Sequence, residues 1–563
     1  MRLWPLHGAY LTSFGFAVVA LSCVGLTTLS VSSADEQEDS SFRTVPKAVC
    51  GANDHPETAL QGQVPASLRA SGFHGFNCNL ELIGQVRGTG ANWQTTEFRD
   101  GEHVCAYHGQ AFSATRVGRG VPTIDVTNPR NPTEVGHLQS TSMLDPWESL
   151  KVNDRRQLLG ADEAGNGGFN PAAGAAGGGP QVDFYDISGD CRYPQLLDAT
   201  GVDANGNATT VAVGLPDGST GLAHTVTGHE GSWAPDGLTY YGGDLFHTYT
   251  VPGTTAAASG QYYAVDTTDP THPTLITAWT TNIAGANVHG LSISDDGNRG
   301  YFVSLGTSGG PAGLTDPTVA ANDGLVIYDL SEIQARKPNP QVRLVSQLLW
   351  KDGSGAQHTI PVKIDGHPYV IFVDEAGSGG FSSAAQRQGA CAAGFNPYPL
   401  ARIIDIKDET KPKIVSRLAL EIHNPANCAS TLPDLVGLSI FTYGSHYCSV
   451  DNKHHATTLA CGYFNSGIRV FDIRNPHHPK EIAYYNPAGT TDQVPGSNHV
   501  TTGQWVSGGP DWCSAQTHLH ISERHGREGT LWTTCQDNGM VVLKFENGVW
   551  PFPDSSTPPG EQN

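Results

Sequence analysis

Positive charge is scarce in this chain. Lys and Arg number 32 against 54 Asp and Glu, giving a formal charge of −22, and only 15% of residues are charged. That balance counts against nucleic acid and anionic membrane surfaces as partners. A long hydrophobic run is also missing: the apolar stretch at residues 14–26 falls short of the ~20 residues that a spanning helix needs. No two cysteines have Cys-x-x-Cys spacing, which argues against a thiolate metal site.

What is there begins with an export signal. Arg2, the apolar stretch and Ser32-Ser33-Ala34 predict a cleavable signal peptide over residues 1–34, cut near Ala34, and a secreted or extracytoplasmic protein. Of 11 cysteines, Cys23 leaves with the signal, and the remaining ten suit disulfides in an oxidising compartment. Cys448 and Cys461 flank one expected hairpin, and Cys513 and Cys535 bracket the matching part of the last repeat, so each is expected to pair. Cys50, Cys78, Cys105, Cys191, Cys391 and Cys428 are expected to pair in sequence order.

A repeat governs the rest. Each copy has an apolar strand that ends at Asp, usually followed by a Pro-x-x-Pro turn. The Asp positions are Asp125, Asp186, Asp266, Asp329, Asp405 and Asp472, and a seventh copy carries Lys544 instead. The branched and aromatic residues before each Asp fit a pleated surface, and the Asp and prolines end the strand in a fixed turn. Copies lie roughly 60 to 80 residues apart, longer than the roughly 40 to 50 of familiar propeller repeats. The strand Leu80–Val86 matches the one that follows each turn but has no partners before it, and the seventh copy lacks that strand. Ring closure resolves both, with Leu80–Val86 completing the last blade. The expected fold is all-β, a seven-bladed β-propeller over residues 77–546, preceded by an irregular segment (35–76) and followed by a tail (547–563). The stretches 165–180, 200–222, 307–323 and 377–399 are expected to be loops. A faint calcium-loop pattern at Asp203 to Asn207 is better explained as a solvated turn.

The repeat resembles the LVIVD-repeat family of secreted β-propellers over about residues 77–545. That resemblance implies the fold and leaves the chemistry open.

Counting seven residues back from Asp236, Asp296 and Asp365 gives His229, His289 and His358; the sixth and seventh copies give His446 and His518. The same count from Asp100 and Asp154 gives Trp93 and Trp147. In a propeller such a position points every copy at one axis, where imidazoles can share an ion, with His520 as a spare ligand and the two tryptophans as a substrate wall. Copper is preferred because an all-nitrogen site favours it, with zinc or iron as alternatives. The competing reading is structural: each histidine bonds a carbonyl of the next blade. Histidine metal sites in propellers are also known from proteins that this chain resembles in architecture, the selenium-binding-protein-type methanethiol oxidases and the carotenoid cleavage oxygenases.

Three functions follow as expectations. The first is a metal-dependent oxidoreductase acting on a small molecule. The second is a non-catalytic scaffold for an extracellular protein or glycan. The third is a hydrolase using Glu148 and Glu230, disfavoured because a residue next to a channel-facing one should point into the blade. The chain is expected to be a monomer.

Overall fold

The computed structural model describes residues 42–557 apart from 89, 92, 110–119, 145, 163–181, 203–207, 211–227, 251–256, 381–382, 436–440, 490–508 and 524–525. The signal peptide and the Asp203–Asn207 turn therefore lie outside the described residues. Seven antiparallel sheets of four or five strands follow one another around a ring, a seven-bladed β-propeller. Each Asp-terminated segment is the third strand of its blade, from Val121–Asp125 in blade 1 to Ile468–Asp472 in blade 6, and the seventh copy, Gly539–Phe545, holds that place in blade 7. The terminal Asp works the same way in all six copies: its Oδ1 accepts the backbone N–H two residues on, at 2.8–3.1 Å. Strand ends are thus fixed locally, and the buried faces of neighbouring blades pack on each other.

Leu80–Val86 pairs antiparallel with Gly539–Phe545, Leu80 opposite Phe545 and Val86 opposite Met540. Closure is therefore as the repeat predicts. A second seam was not foreseen. Phe76–Cys78 pairs with Lys480–Asn486, so blade 6 has five strands. Asn79 turns the chain between the two blades with φ 58°, and its amide donates to Val49 O and Ile482 O.

The segment before this turn is irregular apart from one short helix, Ala66–Ala70, and is firmly held. Val45 N donates to Ala419 O at 2.8 Å, and Cys50 is bonded to Cys78. Arg469, fully buried, reaches Glu57 on this segment and Glu481 on blade 6, the latter at 3.0 Å, with its guanidinium over the Tyr484 ring. The N-terminal segment therefore clamps blades 5, 6 and 7 together.

The cysteines pair as Cys50–Cys78, Cys105–Cys191, Cys391–Cys428, Cys448–Cys461 and Cys513–Cys535. Among the described residues, no helix is long and apolar enough to cross a membrane. Three expected loops hold structure: a short strand pair, Ala199–Val202 with Ala208–Thr210, a helical turn at Pro311–Leu314, and the helix Ala384–Ala392 with Ser383 and Gln386 in a capping box. Its S-x-x-Q start was present in the sequence.

Replacing Arg469 with Ala leaves Glu57 and Glu481 buried without a counter-charge. The expected loss is about 3–5 kcal/mol of unfolding free energy, measured in urea. The triple change R469M/E57Q/E481Q should recover most of it. An R469A protein of parental stability would contradict the clamp.

Candidate metal centre in the central channel

The centre is built around Glu148, which precedes the inner strand of blade 2. Its neighbour Trp147 takes φ 45°, a left-handed backbone that costs a bulky residue of order 1–3 kcal/mol. This turn breaks the alternation of a strand, so Trp147 and Glu148 both face the channel. The expectation that Glu148 would point into its blade is thus corrected. Ser149 locks the turn: its Oγ lies 2.6 Å from Pro146 O, accepts Asp162 N–H at 2.9 Å, and its carbonyl accepts Tyr240 Oη–H at 2.6 Å. Glu148 N donates to His229 O at 3.0 Å, tying blade 2 to blade 3.

Three of the six predicted histidines gather at this carboxylate. His229 Nε2 is 3.3 Å and His289 Nε2 3.5 Å from Glu148 Oε2, and His446 Nε2 is 3.1 Å from Glu148 Oε1. Glu375, at the end of the strand His367–Ala376, lies 3.3 Å from His446 Nε2 and 3.9 Å from His289 Nε2. Two ligand triads result, Glu148/His229/His289 and Glu148/Glu375/His446, both buried. His289 Nδ1 is 3.0 Å from Gln357 O and His446 Nδ1 2.9 Å from Ser514 O, each on the next blade. These carbonyls accept the Nδ1 protons and turn Nε2 toward the centre, where a bound ion would take the place of the Nε2 proton. The structural role weighed against metal binding is therefore present, and it favours ligation.

The spacings are informative. Charge-assisted hydrogen bonds close to about 2.7–2.9 Å. Most contacts here are longer, and Glu148 Oε2, His289 Nε2 and His446 Nε2 have no hydrogen-bond partner. Donor atoms about 2.1 Å from one ion stand about 3.0 Å apart at octahedral edges and about 3.4 Å at tetrahedral ones. Three of the five separations, 3.1–3.3 Å, fall in that range, and the two made by His289, 3.5 and 3.9 Å, are longer.

Protonation follows the same geometry. Burial alone opposes charge on His289 and His446, yet Glu230, Glu148 and Glu375 push His289, and Glu148 and Glu375 push His446, up to about 9. Burial raises Glu148, but His229 and His446 hold it well below the usual carboxylate range. His229 goes down, through burial and repulsion by His289.

Aromatic residues cover one side. Trp93 and Trp147 stack at 5.7 Å; Trp147 meets His229 at 5.2 Å and Trp93 meets His446 at 5.1 Å. Phe441, Phe464 and Trp512 complete the cluster, and Trp512 Nε1–H donates to Phe441 O. Phe441 and Phe464 also have positive φ, 50° and 43°.

The other three predicted ligands lie elsewhere. The blade 5 inner strand has a register irregularity between Ala356 and His358. One extra residue flips the side chains that follow, so the count that works in blades 3 and 4 misplaces this one. His358 stacks on Tyr447 at 4.6 Å, with Nε2 3.3 Å from Cys448 O. His446 sits opposite Gly462 at the start of its blade, whereas His518 sits opposite Trp532, deeper along the sheet. It stacks on Trp532 and bonds Thr95 Oγ1 at 2.8 Å. His520 pairs with Glu97 at 2.9 Å. Glu375 was missed, although two acids closing the apolar run Tyr369 to Val373 were a visible signal.

No family model matches the chain and no curated protein sequence matches it, so the likeness to LVIVD-repeat proteins rests on the repeat residues alone. Solved structures with similar folds are β-propellers. The Swd1 (Cps50) propeller domain of Myceliophteria thermophila shares 8% identity at a TM-score of 0.41, covering 82% of this chain and 98% of that one. The periplasmic gluconolactonase PpgL of Pseudomonas aeruginosa shares 9% at 0.39, covering 81% and 97%. Sqt1 of Chaetomium thermophilum shares 11% at 0.39, covering 83% and 100%.

Asp162 supports the Glu148 turn through Ser149 and takes a short hydrogen bond from Tyr263 Oη–H. Burial pushes its carboxyl up to about 8, against about 3.9 in an unfolded chain. A raised carboxyl stabilises fully below the unfolded value, and that contribution is lost as pH rises through the folded one. D162N should therefore gain on the parent between pH 5 and pH 8 in denaturant melts. A gap that does not change with pH would contradict this.

Proposed function

We propose that this protein is an extracytoplasmic, metal-dependent oxidoreductase of LVIVD-like architecture, with its ion held by His229, His289, His446, Glu148 and Glu375. The carrying observation is the convergence of three buried imidazoles and two buried carboxylates within 3.1–3.9 Å, with Glu148 Oε2, His289 Nε2 and His446 Nε2 lacking a hydrogen-bond partner. Glu148 turns Oε2 to His229 and His289 and Oε1 to His446, so it would serve both triads. The donor set alters the choice of metal. Copper was preferred for an all-nitrogen site, but two carboxylates beside three imidazoles favour iron over copper, with zinc as the redox-inactive alternative. When bound, the ion supplies electron transfer or Lewis-acid polarisation. The protein's part is to fix the imidazole tautomers, exclude water beneath the aromatic cluster and hold charge on Glu148. Five disulfides favour an oxidising compartment. A binding scaffold would have no use for five convergent ligands, and the hydrolase reading needs Glu148 and Glu230 free of histidine.

The test is elemental analysis of untagged protein after exposure to iron, copper and zinc. The parent should retain at least one ion per chain. E148Q and H446A should stay folded and bind at least about tenfold more weakly, while H358A and H520A should bind as the parent does. A parent that takes up no metal, or an E148Q variant that keeps it, overturns the reading.

A further inference from the structure

Blade 2 buries two carboxylates that the metal centre does not use. Its last strand, Gln195–Leu196, pairs antiparallel with Val182–Asp186, Gln195 opposite Asp186 and Leu196 opposite Tyr185. Leu197 N–H donates to Phe184 O at 2.9 Å, so the register runs on and sets Asp198 opposite Asp183. Side chains directly opposite share one face, with Cβ atoms about 4.5–5.5 Å apart. Asp183 is fully buried and Asp198 is 2% exposed. Like charges in such a pair are destabilising, and burial removes the water that would screen them. Asp198 makes no ion pair among the described residues, and neither of its carboxylate oxygens has a hydrogen-bond partner. Its own N–H and that of Phe184 are near, outside hydrogen-bond geometry.

More oxygen atoms meet this pair. The helical turn Thr141–Leu144, which leads into blade 2, lies against the strand Val182–Asp186, and Ser142 N–H donates to Asp183 Oδ2 at 2.8 Å. Ser142 Oγ is buried without a hydrogen-bond partner, and so is Ser140 Oγ, near the Tyr185 hydroxyl. A buried carboxylate without a donor, a second carboxylate opposite it and a serine hydroxyl form an all-oxygen set, which suits a hard cation. We infer that Asp183, Asp198 and Ser142 hold a calcium ion between the outer strand of blade 2 and the turn that enters the blade. Two carboxylates match its charge. Calcium accepts an irregular oxygen shell, whereas magnesium demands a near-ideal octahedron. The ion would also fasten the strand pair Ala199–Val202 with Ala208–Thr210, which starts at the residue after Asp198. Burial, and then the charge of Asp183, push the Asp198 carboxyl up to about 8, so calcium at neutral pH would displace a proton. The inference stands on residues that take no part in the metal centre.

The experiment is isothermal titration of the EDTA-treated full chain with calcium chloride, with magnesium chloride in parallel, followed by urea unfolding in calcium and in EDTA. Saturable binding of one calcium ion per chain, at least about tenfold tighter than magnesium, is the expected result. Calcium should also raise the urea midpoint. Asp198→Asn should bind no calcium and unfold at the same urea concentration in both buffers. In EDTA it should be at least as stable as the parent, because the amide removes the repulsion from Asp183. Ser142→Ala, which removes one oxygen and keeps the turn, should weaken binding about tenfold. H446A, which disables the metal centre, should take up calcium as the parent does. The proposal is overturned if the parent binds no calcium, which would leave the two carboxylates sharing a proton. It is overturned too if D198N or S142A binds as the parent does, or if H446A loses the ion, which would put calcium in the channel instead.

Discussion

The pairing of Leu80–Val86 with Gly539–Phe545 joins the first part of the propeller to its last strand, and the inner strands converge only because that seam holds. Convergence then sets the chemistry. Seven strand starts meet at one axis, too close for water to solvate every polar group there. Imidazoles and carboxylates on neighbouring blades must satisfy one another or share a ligand. The second seam, Phe76–Cys78 on blade 6, and the Arg469 clamp reinforce the ring beside the blade that carries His446.

Backbone strain and buried charge are concentrated at the same place. Trp147, Phe441 and Phe464 are aromatic residues with φ above 40°, and all three belong to the cluster over the centre. Strain of this kind persists only where the surroundings over-determine it. Here Ser149, Asp162 and Tyr240 hold the Trp147–Glu148 turn, and the Cys513–Cys535 bridge anchors the chain directly after Trp512. Behind Glu375, Arg402 is fully buried against Asp374 and stacked over Trp350. The acidic and basic groups therefore form layers: a fixed outer layer of buried pairs, and an inner layer in which imidazoles and carboxylates face one another across the axis.

The fold was legible because each repeat carries its own local signal. An Asp that bonds two residues on, a proline turn and an apolar strand suffice to mark the third strand of every blade, and the orphan strand at residue 80 revealed closure. The site was legible only where the register is regular. Counting leads to His229, His289 and His446, which meet at Glu148, while a bulge and a differently set hairpin place His358 and His518 away from it. Counting cannot detect such shifts. Glu148 was noticed and then set aside by the period-2 rule, which a positive φ at Trp147 breaks.

X-ray absorption at the edge of the bound metal tests the central claim most directly. The account predicts a first shell of nitrogen and oxygen only, at about 2.0–2.2 Å. It also predicts outer-shell scattering from about three imidazoles that falls by about one third in H446A. A shell of water oxygens without imidazole scattering, or a spectrum unchanged in H446A, would contradict it.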